Sequence, residues 1–230
     1  MGSVGLLYVG AVLFINGLML LGLVPGKAAA PMNFFVGIMQ VVFPTILLVQ
    51  AEGDPAAILA ASGLYLFGFT YLYVGLNLTF GLDGEGVGWF SLFVAAIAVV
   101  MGILQFTVVA DPVFGVIWLL WAVLWLMFFL LLGLRRESLT AATGWFTAII
   151  AHLTATIPAV LLLMGEYRST WTWATILAVA GVVALVLSFL LGRRGPLRTP
   201  PELQDTGPDH TLRGPADSDP RDGGRRRAAV

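Results

Sequence analysis

The chain has no cysteine, and its 230 residues hold a single lysine, Lys27. The first absence excludes disulfides and thiolate metal sites and leaves the redox compartment undetermined. The second excludes a retinal-type light-driven pump, which needs a lysine within a span for its Schiff base, whereas Lys27 lies on a connection. Charge is scarce as well: 11% of the residues are charged against 59% hydrophobic, and most charges fall outside the long apolar runs. A soluble domain of this size could not cover its surface with that composition, so the chain reads as an integral membrane protein. The net charge of -1 says little about partners, and no feature points to nucleic acid or to a cofactor.

Seven apolar runs approach or exceed the roughly 17 to 25 residues that a spanning helix requires. They cover residues 4–24, 32–50, 56–78, 88–110, 113–134, 144–165 and 171–192. Short connections separate them, among them Glu52-Gly53-Asp54-Pro55, Asp111-Pro112, Arg135-Arg136-Glu137 and Gly165-Glu166-Tyr167-Arg168. Gly, Pro and charge break helices where water returns. Connections this short make consecutive helices antiparallel neighbours, which predicts an all-α, up-and-down helical bundle. The first run is longer than the apolar region of a secretory signal and has no Lys or Arg before it, so it is expected to be a mature helix although Ala28, Ala29 and Ala30 follow.

Basic residues suggest the orientation. With the N-terminus outside, the inner segments carry Lys27, Arg135, Arg136, Arg193, Arg194 and Arg198, and the outer connections carry only Arg168 against Glu52, Asp54, Asp111 and Glu166. An excess of Lys and Arg inside fits N-outside, C-inside with an odd number of spans. The expected organisation is a six-helix unit over 1–165, an added membrane helix over 166–192 and a disordered cytoplasmic tail over 193–230, where Pro, Gly, Asp and Arg dominate. Within that tail, Arg225-Arg226-Arg227 fits either a contact with anionic membrane lipid or a solvated end with no partner.

Inside the seven runs there is no Asp, Glu, Lys or Arg, and His152 is the one residue there that titrates near neutrality. Ion-coupled transporters keep an intramembrane carboxylate or base despite its cost, because that group carries the ion. Cation channels lined by carboxylates lose their main device too. What remains is passage of an uncharged solute, or no passage at all.

Three runs could line a path. In the first, Leu6, Val9, Leu13 and Asn16 share a helical face, with Gly10 and Gly17 close to it. In the third, Phe67 and Tyr71 lie four apart, with Gly68 and Gly75 nearby and Asn77 near the inner end. In the fifth, Phe114, Trp118, Trp121 and Trp125 are spaced by four, three and four residues, a helical stripe of rings. Such faces fit a flat slot for a small planar amide from which hydrated ions are excluded, and they fit helix packing or interfacial anchoring equally well.

The segments LLYVGAVLFINGL at 6–18, MNFFVG at 32–37, LFGFTYLYVGLNLTFGLD at 66–83, SLFVA at 91–95, IWLLWAVLWL at 117–126 and LTATIPA at 153–159 resemble the bacterial AmiS/UreI family. That family contains urea channels and short-chain amide transporters of the inner membrane. The resemblance runs through six spans in order, to about Leu163, and omits the seventh run and the tail. It implies a six-helix protomer with its own pore, assembled as a homohexamer, that passes urea or similar small neutral amides. Carried over by position, the pathway residues would be Leu6, Val9, Leu13, Phe67, Tyr71, Trp118, Trp121, Leu124 and Trp125, with Phe114 where the urea channel has another Trp.

Two departures qualify that carry-over. The urea channel's pore carboxylate on its sixth span falls at Ile150 here, and Thr154, one turn on, could offer a hydroxyl. His152 lies roughly 200° around a helix from Ile150 and would replace the carboxylate only if the helix were rewound; otherwise it is a packing residue. The outer connections hold no His, which argues against acid gating of the histidine type. The expectation is therefore a passive channel for urea and short aliphatic amides, not an enzyme. A proton-coupled transporter using His152 and a non-transporting assembly or receptor protein are the competing readings.

Overall fold

A computed structural model describes residues 2–197 of the protein. Arg198 onward, including Arg225-Arg226-Arg227, lies outside the described residues. The helices are α1 (Gly2–Leu20), α2 (Gly26–Gln50), α3 (Pro55–Phe80), α4 (Glu85–Leu104), α5 (Pro112–Phe128), α6 (Thr140–Ile150), α7 (Ile157–Met164) and α8 (Trp171–Gly192). Three π-helical segments extend or join them: Gln105–Val109 after α4, Phe129–Gly133 after α5, and Ala151–Thr156, which makes α6 and α7 one span. Seven continuous helical stretches are thus long and apolar enough to cross a membrane. The protein is an all-α, multi-pass membrane helical bundle.

Helix ends follow local chemistry. The Asp54 carboxylate accepts from the backbone N–H groups of Ala56 and Ala57, Pro55 occupies the first helical position, and Gly81 closes α3 in the left-handed conformation at φ 65°. Asp111 and Pro112 repeat the device at the start of α5, where Asp111 accepts from the Phe114 N–H at 2.9 Å. One boundary differs from the apolar pattern: α2 begins at Gly26, not residue 32, so Lys27 and Ala28 to Ala30 lie within the helix. Hydropathy marks the length immersed in lipid, and a helix can continue beyond it while its backbone satisfies itself.

The first six spans close into a ring in chain order, with α1 packed on α2 and returning to α6 and α7. The tightest neighbours are α2 with α3, α4 with α5, and α1 with α6. Apolar burial drives little between helices in lipid, so close backbone approach by small residues must do the work. A β-carbon on Gly17 of α1 would lie 2.7 Å from the Ala148 nitrogen and 2.9 Å from the Gly144 carbonyl oxygen. Gly88 of α4 meets Gly133 still more closely. Across α1 and α2, Asn16 and Asn33 exchange two amide hydrogen bonds of 2.9 and 2.8 Å, both residues being buried.

The seventh span, α8, packs on α5 and α6. Gly181 takes the Leu120 side chain, and Gly192 meets the Ala142 backbone. Beyond it, the Leu197 N–H donates to the Leu21 carbonyl at 2.9 Å, which returns the chain to the end of α1. At the opposite end, Asp111 also accepts from the Tyr167 hydroxyl and the Ser169 hydroxyl, tying the α4–α5 connection to the α7–α8 connection. Burial, reinforced by the neighbouring Asp111 carboxylate, pushes the Tyr167 phenol well above its ordinary range, so it stays a donor to Asp111 at physiological pH.

Gly17→Val should cost roughly 1–3 kcal/mol or more, since two backbone segments would have to separate to admit the side chain. The measurement is thermal unfolding in detergent, with Gly2→Val as control because nothing lies within 4 Å of a β-carbon there. Equal melting of the two variants would contradict the packing described.

Candidate functional site

The face of α5 that carries the stripe points to the middle of the ring. Trp118, Trp121 and Trp125 are all buried, as are Phe67 and Tyr71 of α3 and Leu6, Val9 and Leu13 of α1. Phe67 sits at the centre of the rings. Its centroid lies 5.6 Å from Trp118, 4.7 Å from Trp121 and 5.1 Å from Trp125, the last two nearly edge-on at 73° and 71°. Trp118 and Trp121 meet at 5.1 Å and 82°. Edge-to-face contacts of this kind add roughly 0.5–1.5 kcal/mol each beyond burial, so the cluster is a stiff layer across the bundle.

Hydrogen bonds fix two of the indoles. Trp121 Nε1 donates to the Thr154 hydroxyl at 2.9 Å, and Trp125 Nε1 reaches the Thr70 hydroxyl at 3.4 Å. Both hydroxyls donate onward to the backbone carbonyl four residues earlier, Ile150 and Leu66 respectively, at 2.7 Å. Thr154 thus holds a ring and has no free hydroxyl proton to donate.

Two cavities reach this layer from opposite sides. One, about 300 Å³, is lined by Leu6 and Val9 of α1, Gln40 of α2, Phe67 of α3, Met101 and Gln105 of the fourth span, and Phe114, Trp118 and Trp121 of α5. Glu52, Asp54, Asp111 and Glu166 belong to connections at that end of the bundle, the outer end if the N-terminus is outside. The other cavity, about 200 Å³, is lined among others by Leu13 and Asn16, Thr70, Tyr71 and Asn77, Ser91 and Trp125. The two share no lining residue, and Phe67, Trp121, Tyr71 and Trp125 lie where they approach each other. None of the residues named on either wall is charged.

Of the positions expected on a pathway, Leu6, Val9, Phe67, Phe114, Trp118 and Trp121 line the outer cavity, and Leu13, Tyr71 and Trp125 the inner one. Leu124, Ile150 and Thr154 are buried and line neither. His152 is exposed on the rim of the protomer, its ring 4.9 Å from that of Phe14. The helix is indeed rewound at this point, by the π-helical Ala151–Thr156, and the imidazole still faces away from the ring's centre. Gln40, Met101, Gln105 and Ser91 were not singled out by sequence. Gln40 had a signal, being the one amide in the apolar stretch between Asn33 and Gln50.

Four of the five buried side-chain polar atoms with no hydrogen-bond partner in the protein, among the described residues, belong to cavity walls. Gln40, which carries Oε1 and Nε2, lines the outer cavity, and Tyr71 and Asn77, which carry the hydroxyl and Oδ1, line the inner one. The fifth is the Thr143 hydroxyl. No cluster of His, Cys, Asp or Glu able to hold a metal ion occurs among the described residues.

Comparison with known proteins agrees with this architecture. A family profile described as "AmiS/UreI family transporter" matches residues 1–166. A Rhodococcus erythropolis protein with the provisional name transporter protein AmiS2 is 59% identical over 191 residues, 83% of this chain and 93% of the relative. A Mycolicibacterium smegmatis protein, provisionally named an amidate substrates transporter protein, is 55% identical over 194 residues, 84% of this chain and 91% of the relative. Both alignments are longer than the stretch the family profile matches, so these similarities run on into α8. Among solved structures, the cryoEM structure of the Helicobacter pylori urea channel in its closed state has a TM-score of 0.67 at 37% identity, covering 73% of this chain and all of that one. The chain belongs to the AmiS/UreI family of transporters.

Proposed function

We propose that the protein is a passive facilitator for urea and short-chain aliphatic amides, with one aromatic-gated path through each protomer. The observation that carries this reading is the placement of the unpartnered polar atoms. Moving an amide from water to a site that offers no hydrogen bond costs roughly 4–8 kcal/mol on a cyclohexane scale, so a purely apolar slot would be a barrier. Here Gln40, Tyr71 and Asn77 offer donors and acceptors along the two cavities, on either side of the ring layer. A planar neutral solute exchanges water for these groups, passes edgewise between flat ring faces as Phe67 and the indoles part, and regains water beyond.

Ions are refused by the same walls. No charged side chain on the walls described repays the dehydration of a cation or anion, and the cavities are too apolar to hold a full hydration shell. Transport is passive in this scheme because the spans hold no carboxylate or base facing the path, and His152 lies on the outside of the protomer. The names of the two actinobacterial relatives and of the urea channel support this solute class. The protein works without bond chemistry, cofactor or metal, and so not as an enzyme. The family resemblance supports a homohexamer, with membrane lipid around it. The distribution of Lys and Arg supports the bacterial inner membrane with the N-terminus outside and the C-terminus in the cytoplasm.

Liposomes containing the protein should admit acetamide and urea far faster than protein-free vesicles, with no dependence on a proton gradient. Trp125→Ala should slow entry about fivefold, the kinetic equivalent of roughly 1 kcal/mol of ring contact, as the flat slot collapses. Entry no faster than in protein-free vesicles would refute the transport reading. The native chain has no cysteine, so orientation can be read from single introduced thiols. Glu166→Cys should react with a membrane-impermeant maleimide in intact cells and Arg136→Cys only after disruption, and the reverse pattern would invert the topology.

A further inference from the structure

The middle of α2 carries a single amide, Gln40, whose side chain is 1% exposed and lines the outer cavity. Two glycines hold it in place. Its amide lies against Gly5 of α1, where a β-carbon would come within 3.1 Å of Nε2 and 3.5 Å of Oε1. Its backbone carbonyl lies against Gly68 of α3, where a β-carbon would come within 2.9 Å of the oxygen. Pro44, four residues on, has no N–H to give that carbonyl, so α2 is free to approach α3 at this level. The side chain is therefore positioned between α1 and α3, at the wall of the cavity, with both polar ends unpartnered.

Leaving such an amide unpaired costs roughly 1–3 kcal/mol for each buried group, so its natural partner is whatever occupies the cavity. The edge it presents is specific: one acceptor and one donor, side by side and coplanar. A complement must carry a donor and an acceptor at the same spacing. A primary carboxamide and urea do so. An ester lacks the donor, a carboxylate has acceptors only, and an ammonium has donors only. The same pairing already exists inside this protein, where Asn16 and Asn33 form two reciprocal bonds of 2.9 and 2.8 Å.

We propose that Gln40 is the specificity-determining residue of the outer cavity, pairing edge to edge with the C(=O)NH2 group of a primary amide or urea before the solute meets the rings. This rests on the amide-transport reading and sharpens it, because it defines the solute by a two-point hydrogen-bonding edge and not by size or neutrality alone. Gly5 and Gly68 act as positioning residues, Gly5 leaving room beside the amide and Gly68 admitting the Gln40 carbonyl.

The test uses two isomers of equal size, propionamide and N-methylacetamide. The first has an N–H on the same side as its carbonyl oxygen. The second has its one N–H on the opposite side in its stable trans form, so it can make only one of the two bonds at a time. In liposomes containing the full chain, with protein-free rates subtracted, propionamide should enter about fivefold faster, the discrimination given by one hydrogen bond. Gln40→Met, which keeps length without the amide, should bring the ratio close to one, as should Gln40→Leu, with helical content by circular dichroism reporting folding. Equal entry of the isomers in the unaltered protein, or an undiminished ratio in a folded variant, would overturn the assignment to Gln40 while leaving amide transport standing. Should neither variant fold, the isomer ratio of the unaltered protein decides by itself. Vesicles that admit neither isomer nor urea would overturn the transport reading and this assignment together.

Discussion

A polar group inside the bilayer has no water to turn to, and that single constraint organises the molecule. It requires helices, in which the backbone satisfies itself. It also disposes of the side-chain hydroxyls within the spans: buried Ser91, Thr147 and Ser188 each donate to the carbonyl four residues earlier, at 2.7, 2.6 and 2.7 Å. It pairs Asn16 with Asn33. Apart from the Thr143 hydroxyl, the buried side-chain groups left unpartnered among the described residues, the Gln40 amide, the Tyr71 phenol and Asn77 Oδ1, belong to residues on the walls of cavities.

With the hydrophobic effect largely silent between helices, shape does the assembling. Gly17 against Gly144 and Gly88 against Gly133 bring backbones into contact and set the ring of six spans. Bulk is then concentrated in the centre, where Phe67 meets three indoles. Small residues at the seams and large ones on the axis are two aspects of one arrangement, since a layer of rings keeps its geometry only if the helices bearing it cannot slide. The hydrogen bond from Trp121 to Thr154 extends that rigidity to the π-helical turn of the sixth span.

Most of this architecture was legible in the sequence because apolar length and Pro, Gly and Asp punctuation report directly on lipid immersion and helix ends. The ring stripe was legible because α5 is regular from Pro112 to Phe128, so spacings of four, three and four keep one face. The sixth span was less legible: a register counted on 3.6 residues per turn does not anticipate the π-helical Ala151–Thr156, nor that the Thr154 hydroxyl accepts from Trp121. Leu124 is buried like its neighbours on the fifth span but lines neither cavity. Gln40 was not legible in this way, because the value of one amide depends on what lies across from it, which periodicity does not encode.

The reciprocal bond between Asn16 and Asn33 carries a consequence for what happens past the rings. Asn16 borders the inner chamber, and its amide is spoken for by a neighbour of the same kind. That cavity offers instead the unpartnered Tyr71 hydroxyl and Asn77 Oδ1, the Asn77 amide nitrogen donating to the Asp83 carbonyl at 3.0 Å. In the proposed scheme a planar amide would therefore dwell longer in the cavity bordered by Gln40 than in the one bordered by Asn16, an asymmetry that leaves the equilibrium untouched.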